Sequence, residues 1–199
     1  MAAGVALLEQ LGQGTFSKVL KARAKALGDV HFAVKIEPGA ADRKNAPAQL
    51  RYEYKVLHHL RKVPGVPAVY RLWTVKDGET WMGMELLGQN LERQLRDNKL
   101  GVDRVVREVA PAFIQILKQV HDLGILHRDI KPDNMVSTRD CRGYKLIDYG
   151  LSKRFTQPES GQHIPFRDGK RLTGTPRFAS RHTHAGAHIG RVQVDHPSK

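Results

Sequence analysis

The 199-residue sequence predicts an α+β fold in two lobes, a small sheet-plus-helix lobe followed by a mainly helical one. Three observations predict it. Val30-His31-Phe32-Ala33-Val34-Lys35-Ile36 alternates with a period of two, as a half-buried strand does. From about Ala46 to Lys62, Leu50, Tyr54, Leu57 and Leu60 recur at spacings of three and four, the stripe of an amphipathic helix. Helical spacing then returns over residues 91–97 and 103–123 with no strand between them.

The remaining elements fall between these anchors. From Val5 to Ile36 short runs alternate, punctuated by turn signals at Gly12, Gly14 and Gly28-Asp29. Val66 to Leu87 reads as two strands separated by Lys76-Asp77-Gly78. Pro111 falls inside the long predicted helix, where a proline removes a hydrogen bond, so that helix is either kinked there or begins near it. Beyond Ser137 the chain is short strands and polar loop, and no internal repeat is visible. The expected division is 1–88 and 89–199.

Composition narrows the partners. Thirty-three Lys plus Arg against 20 Asp plus Glu give a net charge of +13, which favours anionic partners. Cys141 is the only cysteine, so no intrachain disulfide can form, as suits a reducing compartment. The opening MAAGVALLEQ has no basic n-region, and no stretch approaches the ~20 apolar residues of a membrane span. A soluble protein of the cytoplasm or nucleus, without a membrane partner, is the expectation.

Four motifs carry chemistry. Gly12-Gln13-Gly14-Thr15-Phe16-Ser17-Lys18-Val19 lies between two predicted strands. Its glycines let a hairpin close over an anion, although alone it reads more readily as a plain hairpin. Lys35 sits in an apolar strand, and Glu53 in the following helix can reach back to it. Ile125-Leu126-His127-Arg128-Asp129-Ile130-Lys131-Pro132-Asp133-Asn134-Met135 crowds charges between apolar anchors, the mark of a fixed loop that presents polar groups. Ile147-Asp148-Tyr149-Gly150 places an acid at a strand end. Phosphoryl transfer needs a cover for phosphates, a cation on them, a metal-holding carboxylate and a carboxylate near the attacking hydroxyl, and the motifs supply these in that family of reactions' order.

On these motifs the chain resembles the eukaryotic protein kinases, and so a bilobal kinase-like fold is implied. More narrowly it resembles the casein kinase I family, through Met84-Glu85-Leu86-Leu87-Gly88, His163-Ile164-Pro165-Phe166-Arg167, Leu172-Thr173-Gly174-Thr175 and Arg177-Phe178-Ala179-Ser180. It has Ala179-Ser180-Arg181 where most kinases have Ala-Pro-Glu, and Tyr149 where Phe is usual.

The resemblance implies roles for particular residues. Asp129 accepts or orients the substrate hydroxyl proton, Lys131 steadies the transferring phosphate, and Asn134 and Asp148 hold Mg2+. His127 supports the loop. ATP is bound by Leu11, Gly12, Gly14, Val19, Ala33, Lys35 with Glu53, Met84 as gatekeeper, Glu85 and Leu87, together with Asp148. Substrates are implied to be proteins with acidic or already phosphorylated Ser/Thr sites, their phosphate met by Lys170, Arg171 and Arg177. Residues 151–199 carry nine Lys plus Arg against three Asp plus Glu, an excess of +6 consistent with that role. Thr173 and Thr175 are implied to shape the substrate-binding segment. No nucleic-acid module is recognisable.

Two departures bear on function. Ser17 stands where the family has a third glycine, which implies weakened nucleotide binding. After Gly186 the family's later helices do not follow, which implies a C-terminally truncated kinase domain. Some of Val105, Val109, Phe113, Ile116 and Val120 are then expected to leave apolar surface for a partner that covers the incomplete lobe. The alternative is a non-catalytic kinase fragment that serves as a nucleotide- or protein-binding scaffold.

Overall fold

A computed structural model describes residues 4–14, 17–42, 48–75, 78–157, 159–165 and 172–184. The chain divides into two compact units: residues up to Arg61 with Pro67–Leu87, and Lys62–Val66 with residues from Gly88 on. Among the described residues no helix is long and apolar enough to cross a membrane.

The first unit is an antiparallel sheet with one helix. Its strands are β1 (Val5–Gln13), β2 (Lys18–Ala24), β3 (Val30–Glu37), β4 (Val69–Thr74) and β5 (Thr80–Met84). They are ordered β1-β2-β3-β5-β4. Positive φ at Gly28 and Asp29 and at Gly78 turns the chain where the sequence signals turns. β5 is buried along its whole length because both faces of the sheet are covered there. One face buries Ala22, Val34, Ile36 and Trp81, with Phe32 and Trp73 packed beside them. Register puts the alternate residues on the other face, where α1 (Leu50–His59) lies. Leu50, Leu57 and Leu60 of the helix stripe read in the sequence are buried, with Val56 beside them, while Tyr54 is half-buried.

The second unit contains α2 (Leu91–Arg96), α3 (Val102–Arg104), α4 (Ala110–Asp122) and α5 (Arg181–His184). Asn90 caps α2 by accepting the Arg93 N–H. Short strands complete it: β6 (Ile125–Leu126) with β9 (Lys153–Arg154), and β7 (Met135–Ser137) with β8 (Tyr144–Leu146). Cys141, exposed, lies in the turn between β7 and β8.

α4 begins at Ala110, so Pro111 falls at a helix start, the second of the two sequence alternatives; what the sequence did not offer is the turn that precedes it. Between α3 and α4 the backbone takes a π-helical turn, Val105–Val109, and Ala110 donates its N–H to Val105 O, five residues back. The wider turn accommodates Pro111 directly after it, near the start of α4, where a missing N–H costs least.

The expected exposure of one face of this helix is corrected. Val109, Phe113, Ile116 and Val120 are buried within the second unit: Phe113 packs on Tyr144, and Ile116 lies so close over Gly65 that no Cβ fits there. The residues left in solvent are Val102, Val106 and Ile114, on the neighbouring stripe. Apolar spacing identifies the helix, but which stripe is covered depends on β8 and the 62–66 segment.

Candidate active site

Sheet register assembles most of the first unit's expected nucleotide residues. Val19 pairs with Lys35, and Ala33 with Met84, so the four share one face of the sheet. Gly12 and Gln13 pair with Val19 and Lys18, and Gly14 donates its N–H to Ser17 O at 2.8 Å, closing the connection between β1 and β2. Leu11 is an exposed residue of β1. Lys35 Nζ donates to both carboxylate oxygens of Glu53, at 2.9 and 2.7 Å. The pair is held with little water: the side chains are 12% and 2% exposed. After β5, Glu85 donates its N–H to Ala68 O and accepts the Ala68 N–H with its carboxylate, which pins the segment leading to Leu87.

The second unit gathers the polar loop around Asp129. His127 is fully buried, lies edge-on to Tyr149, and links two segments through Ile147 O at its Nε2 and the Asp129 N–H at its Nδ1. Arg128 takes a left-handed conformation, φ 68°, and donates to Leu151 O. That backbone turn sends the Asp129 carboxylate into a ring of donors. Lys131 Nζ meets Oδ2 at 2.9 Å, Asn134 Nδ2 meets the Asp129 carbonyl at 2.8 Å and Oδ2 at 3.2 Å, and Thr175 supplies both its N–H and its hydroxyl to Oδ1. Lys131 also donates to the Thr175 hydroxyl at 2.9 Å.

These neighbours set the charge of Asp129. Burial pushes its carboxyl up, but hydrogen bonds from Lys131 and Thr175, with the Lys131 charge, outweigh burial and hold the pKa below the usual carboxylate value. Asp129 is therefore ionised at neutral pH. It is suited to accepting a hydrogen bond and orienting a hydroxyl, and is too weak a base to remove the proton early.

The β7–β8 pairing brings Asn134 and Asp148 to the same end of the hairpin. Met135 pairs with Leu146, and Ile147 lies opposite Asn134, donating its N–H to Asn134 O, so Asp148 is one residue past the position opposite Asn134. Asp148 takes φ 66°, a left-handed turn immediately after the strand. With Asn134 Nδ2 engaged on Asp129, the group it has left for a cation is its amide oxygen. Among the described residues no cluster of three or more His, Cys, Asp or Glu could cage a metal by itself. Two hard oxygen donors fit Mg2+, which keeps waters and binds through few protein oxygens plus substrate phosphates.

Arg177 is exposed, its guanidinium 5.6 Å from the Phe178 ring centroid. Lys170 and Arg171 lie outside the described residues, as do Thr15 and Phe16 of the glycine hairpin.

Two contacts were not read from the sequence. Thr175, expected to shape the substrate-binding segment, also bonds Asp129 directly. The adjacent Gly174 carried the signal: its φ of 90° and its approach to Arg128 O leave no room for a Cβ. The other is Glu37, buried beside Lys35 on β3. An acid two residues from Lys35, ahead of a helix with no capping side chain of its own, was the available signal.

Residues 5–190 match the protein kinase domain family. The chain is 36% identical over 186 residues to casein kinase I homolog 1 of Saccharomyces cerevisiae, covering 89% of this chain and 33% of that protein. It is 34% identical to casein kinase I homolog 2 of the same yeast and to casein kinase I homolog RAG8 of Kluyveromyces lactis, each over 89% of this chain. It covers 32% of homolog 2 and 33% of the Kluyveromyces protein, and so spans about a third of the length of these relatives.

Proposed function

The chain belongs to the protein kinase family, and from that premise we propose that it is a serine/threonine kinase of casein kinase I type, transferring the γ-phosphate of ATP to acidic or already phosphorylated protein sites. The observation that carries the reading is Asp129, ionised and aimed by Lys131, Asn134 and Thr175. Similarity to the casein kinase I homologues over most of the chain supports the serine/threonine assignment.

In this reading the substrate hydroxyl oxygen forms a bond to the γ-phosphorus while the bond to the bridging oxygen of ADP breaks. Asp129 accepts the hydroxyl proton as that bond forms. Lys131 sits on the carboxylate and offers its remaining N–H to the phosphoryl oxygens, neutralising charge where it develops. Lys35, oriented by Glu53, meets the nucleotide phosphates, and Val19, Ala33 and Met84 give the adenine an apolar wall. Asn134 and Asp148 would hold Mg2+, which would supply charge neutralisation on the phosphates. Arg177 and the basic surplus of the last 49 residues favour an anionic peptide, and arginine's fork matches phosphate.

A melt of the chain with and without Mg-ATP tests the binding step. At 100 times Kd a ligand stabilises by about 2.7 kcal/mol, a shift easily read as a raised midpoint. The shift is expected in the native chain and absent in Asp148→Asn. Transfer of labelled phosphate to acidic and phosphoserine-containing peptides then tests the chemistry, with Asp129→Asn as the inactive control. Binding without transfer would support a scaffold instead.

A further inference from the structure

We propose that Glu37 is a positioning residue for the Lys35–Glu53 pair: its carboxylate holds the N-terminus of α1 in the one setting at which Glu53 reaches Lys35. The functional weight of this rests on the kinase reading above, but the geometry does not. Glu37 is the last residue of β3, 2% exposed, and a carboxylate that no role assigned above uses. An acid so buried is costly unless its oxygens are satisfied. Glu37 Oε1 accepts the backbone N–H of Gln49 at 2.6 Å and that of Leu50 at 3.0 Å. These are the first amides of α1, which have no partner within the helix.

The helix has no cap of its own. Its N-cap residue, Gln49, makes no side-chain capping bond. Glu37 supplies the missing acceptor from a neighbouring strand, with negative charge at the positive end of the helix dipole.

Its position decides what the cap does. Lys35 and Glu37 are two residues apart on β3 and so project from the same face of the sheet. On α1, Leu50 and Glu53 lie within one turn of each other. The strand thus grips the first turn of the helix twice, by a flexible lysine stem and by a bond directly to backbone. Lysine alone can follow a helix that swings, because its four-carbon stem rotates freely. The backbone contact cannot, and it fixes both the height of α1 along β3 and its rotation.

The test measures the pair, not only stability. Glu37→Ala removes the acceptor, Glu37→Asp shortens its reach by one methylene, and Glu37→Gln keeps an acceptor oxygen at the same length. Three readouts are taken on the full chain: amide hydrogen exchange at Gln49 and Leu50, acylation of the Lys35 amine by a small amine-reactive ester, and the Mg-ATP midpoint shift. Loss of a capping acceptor is expected to speed exchange at the two amides roughly tenfold in Glu37→Ala and Glu37→Asp. Lys35 acylation is expected to rise in the same variants, with both readouts restored in Glu37→Gln. Faster exchange with Lys35 acylation unchanged would make Glu37 a cap and nothing more, and overturns the proposal. Unchanged exchange overturns it as well. If Glu37→Ala does not fold, the Asp and Gln variants decide in the same way. A native chain that shows no Mg-ATP shift refutes the kinase reading alone, since exchange and acylation still report on the pair.

Discussion

Thr175 gives Asp129 two hydrogen bonds, one from its N–H at 2.9 Å and one from its hydroxyl at 2.8 Å, both to the same carboxylate oxygen. The residues are 46 positions apart in the chain. A single oxygen held twice cannot rotate, so the carboxylate's other edge is presented in a fixed direction. The segment carrying Thr175 and the loop carrying Asp129 are in this way one constellation.

Removing only the hydroxyl should therefore cost transfer more than binding. Losing a hydrogen bond to a charged group costs about 1.5–3 kcal/mol, roughly a tenfold to hundredfold effect. Thr175→Val is expected to lower kcat by that factor with little change in KM for ATP, and Thr175→Ser to retain most of the rate. Steady-state kinetics of the three proteins check this. An equal fall in Thr175→Ser, which keeps the hydroxyl, would mean that the hydroxyl bond alone does not carry the effect.

Gly174 makes that contact possible. Its φ of 90° and its closeness to Arg128 O exclude any side chain. Gly174→Ala is expected to destabilise the fold by at least 1–2 kcal/mol from the backbone conformation alone, with the clash added. A lower melting midpoint and loss of transfer together are the expected outcome. Gly161, also at positive φ but with open space around it, is the control: Gly161→Ala should affect the midpoint less and leave transfer intact.

The acidity of Asp129 makes a pH prediction. Its pKa is held below the ordinary 3.8 despite burial, because Lys131 and Thr175 stabilise the charged form. The unfolded chain then takes up the proton more readily than the folded one. The stabilisation is complete above the unfolded value of 3.8 and is lost as pH falls through the lower folded value. Below pH 3.8 the melting midpoint should fall more steeply for the native chain than for Asp129→Asn, which has no such group to titrate. Transfer should show no acid limb from Asp129 near pH 6–7, where an activated general base would titrate.

The Lys35–Glu53 pair is nearly dry, at 12% and 2% exposure. Lys35→Met removes the ammonium from a buried carboxylate and is expected to cost about 3–5 kcal/mol of stability. Lys35→Met with Glu53→Leu should recover much of that loss, since an apolar pair of similar size can replace a buried ion pair. Neither variant should show a Mg-ATP shift. Chemical denaturation and melts with nucleotide separate the two effects.

The sequence alone determined what is local. The period of two in β3, the stripe of Leu50, Leu57 and Leu60 and the glycine hairpin depend on backbone geometry and near neighbours, and the structure repeats them. The motifs around Lys35, Asp129 and Asp148 were legible for the same reason: their chemistry is written within a few residues. Tertiary structure decided what depends on partners distant in sequence. Spacing marks the helix from Val102 to Asp122, but packing against Tyr144 and Gly65 chose the buried stripe, and a π-turn made room for Pro111. Thr175 on Asp129, and Glu37 on the first amides of α1, are pairings that no local pattern encodes. Backbone preference is set within a turn or two, whereas a buried charge takes whichever donors the fold brings to it.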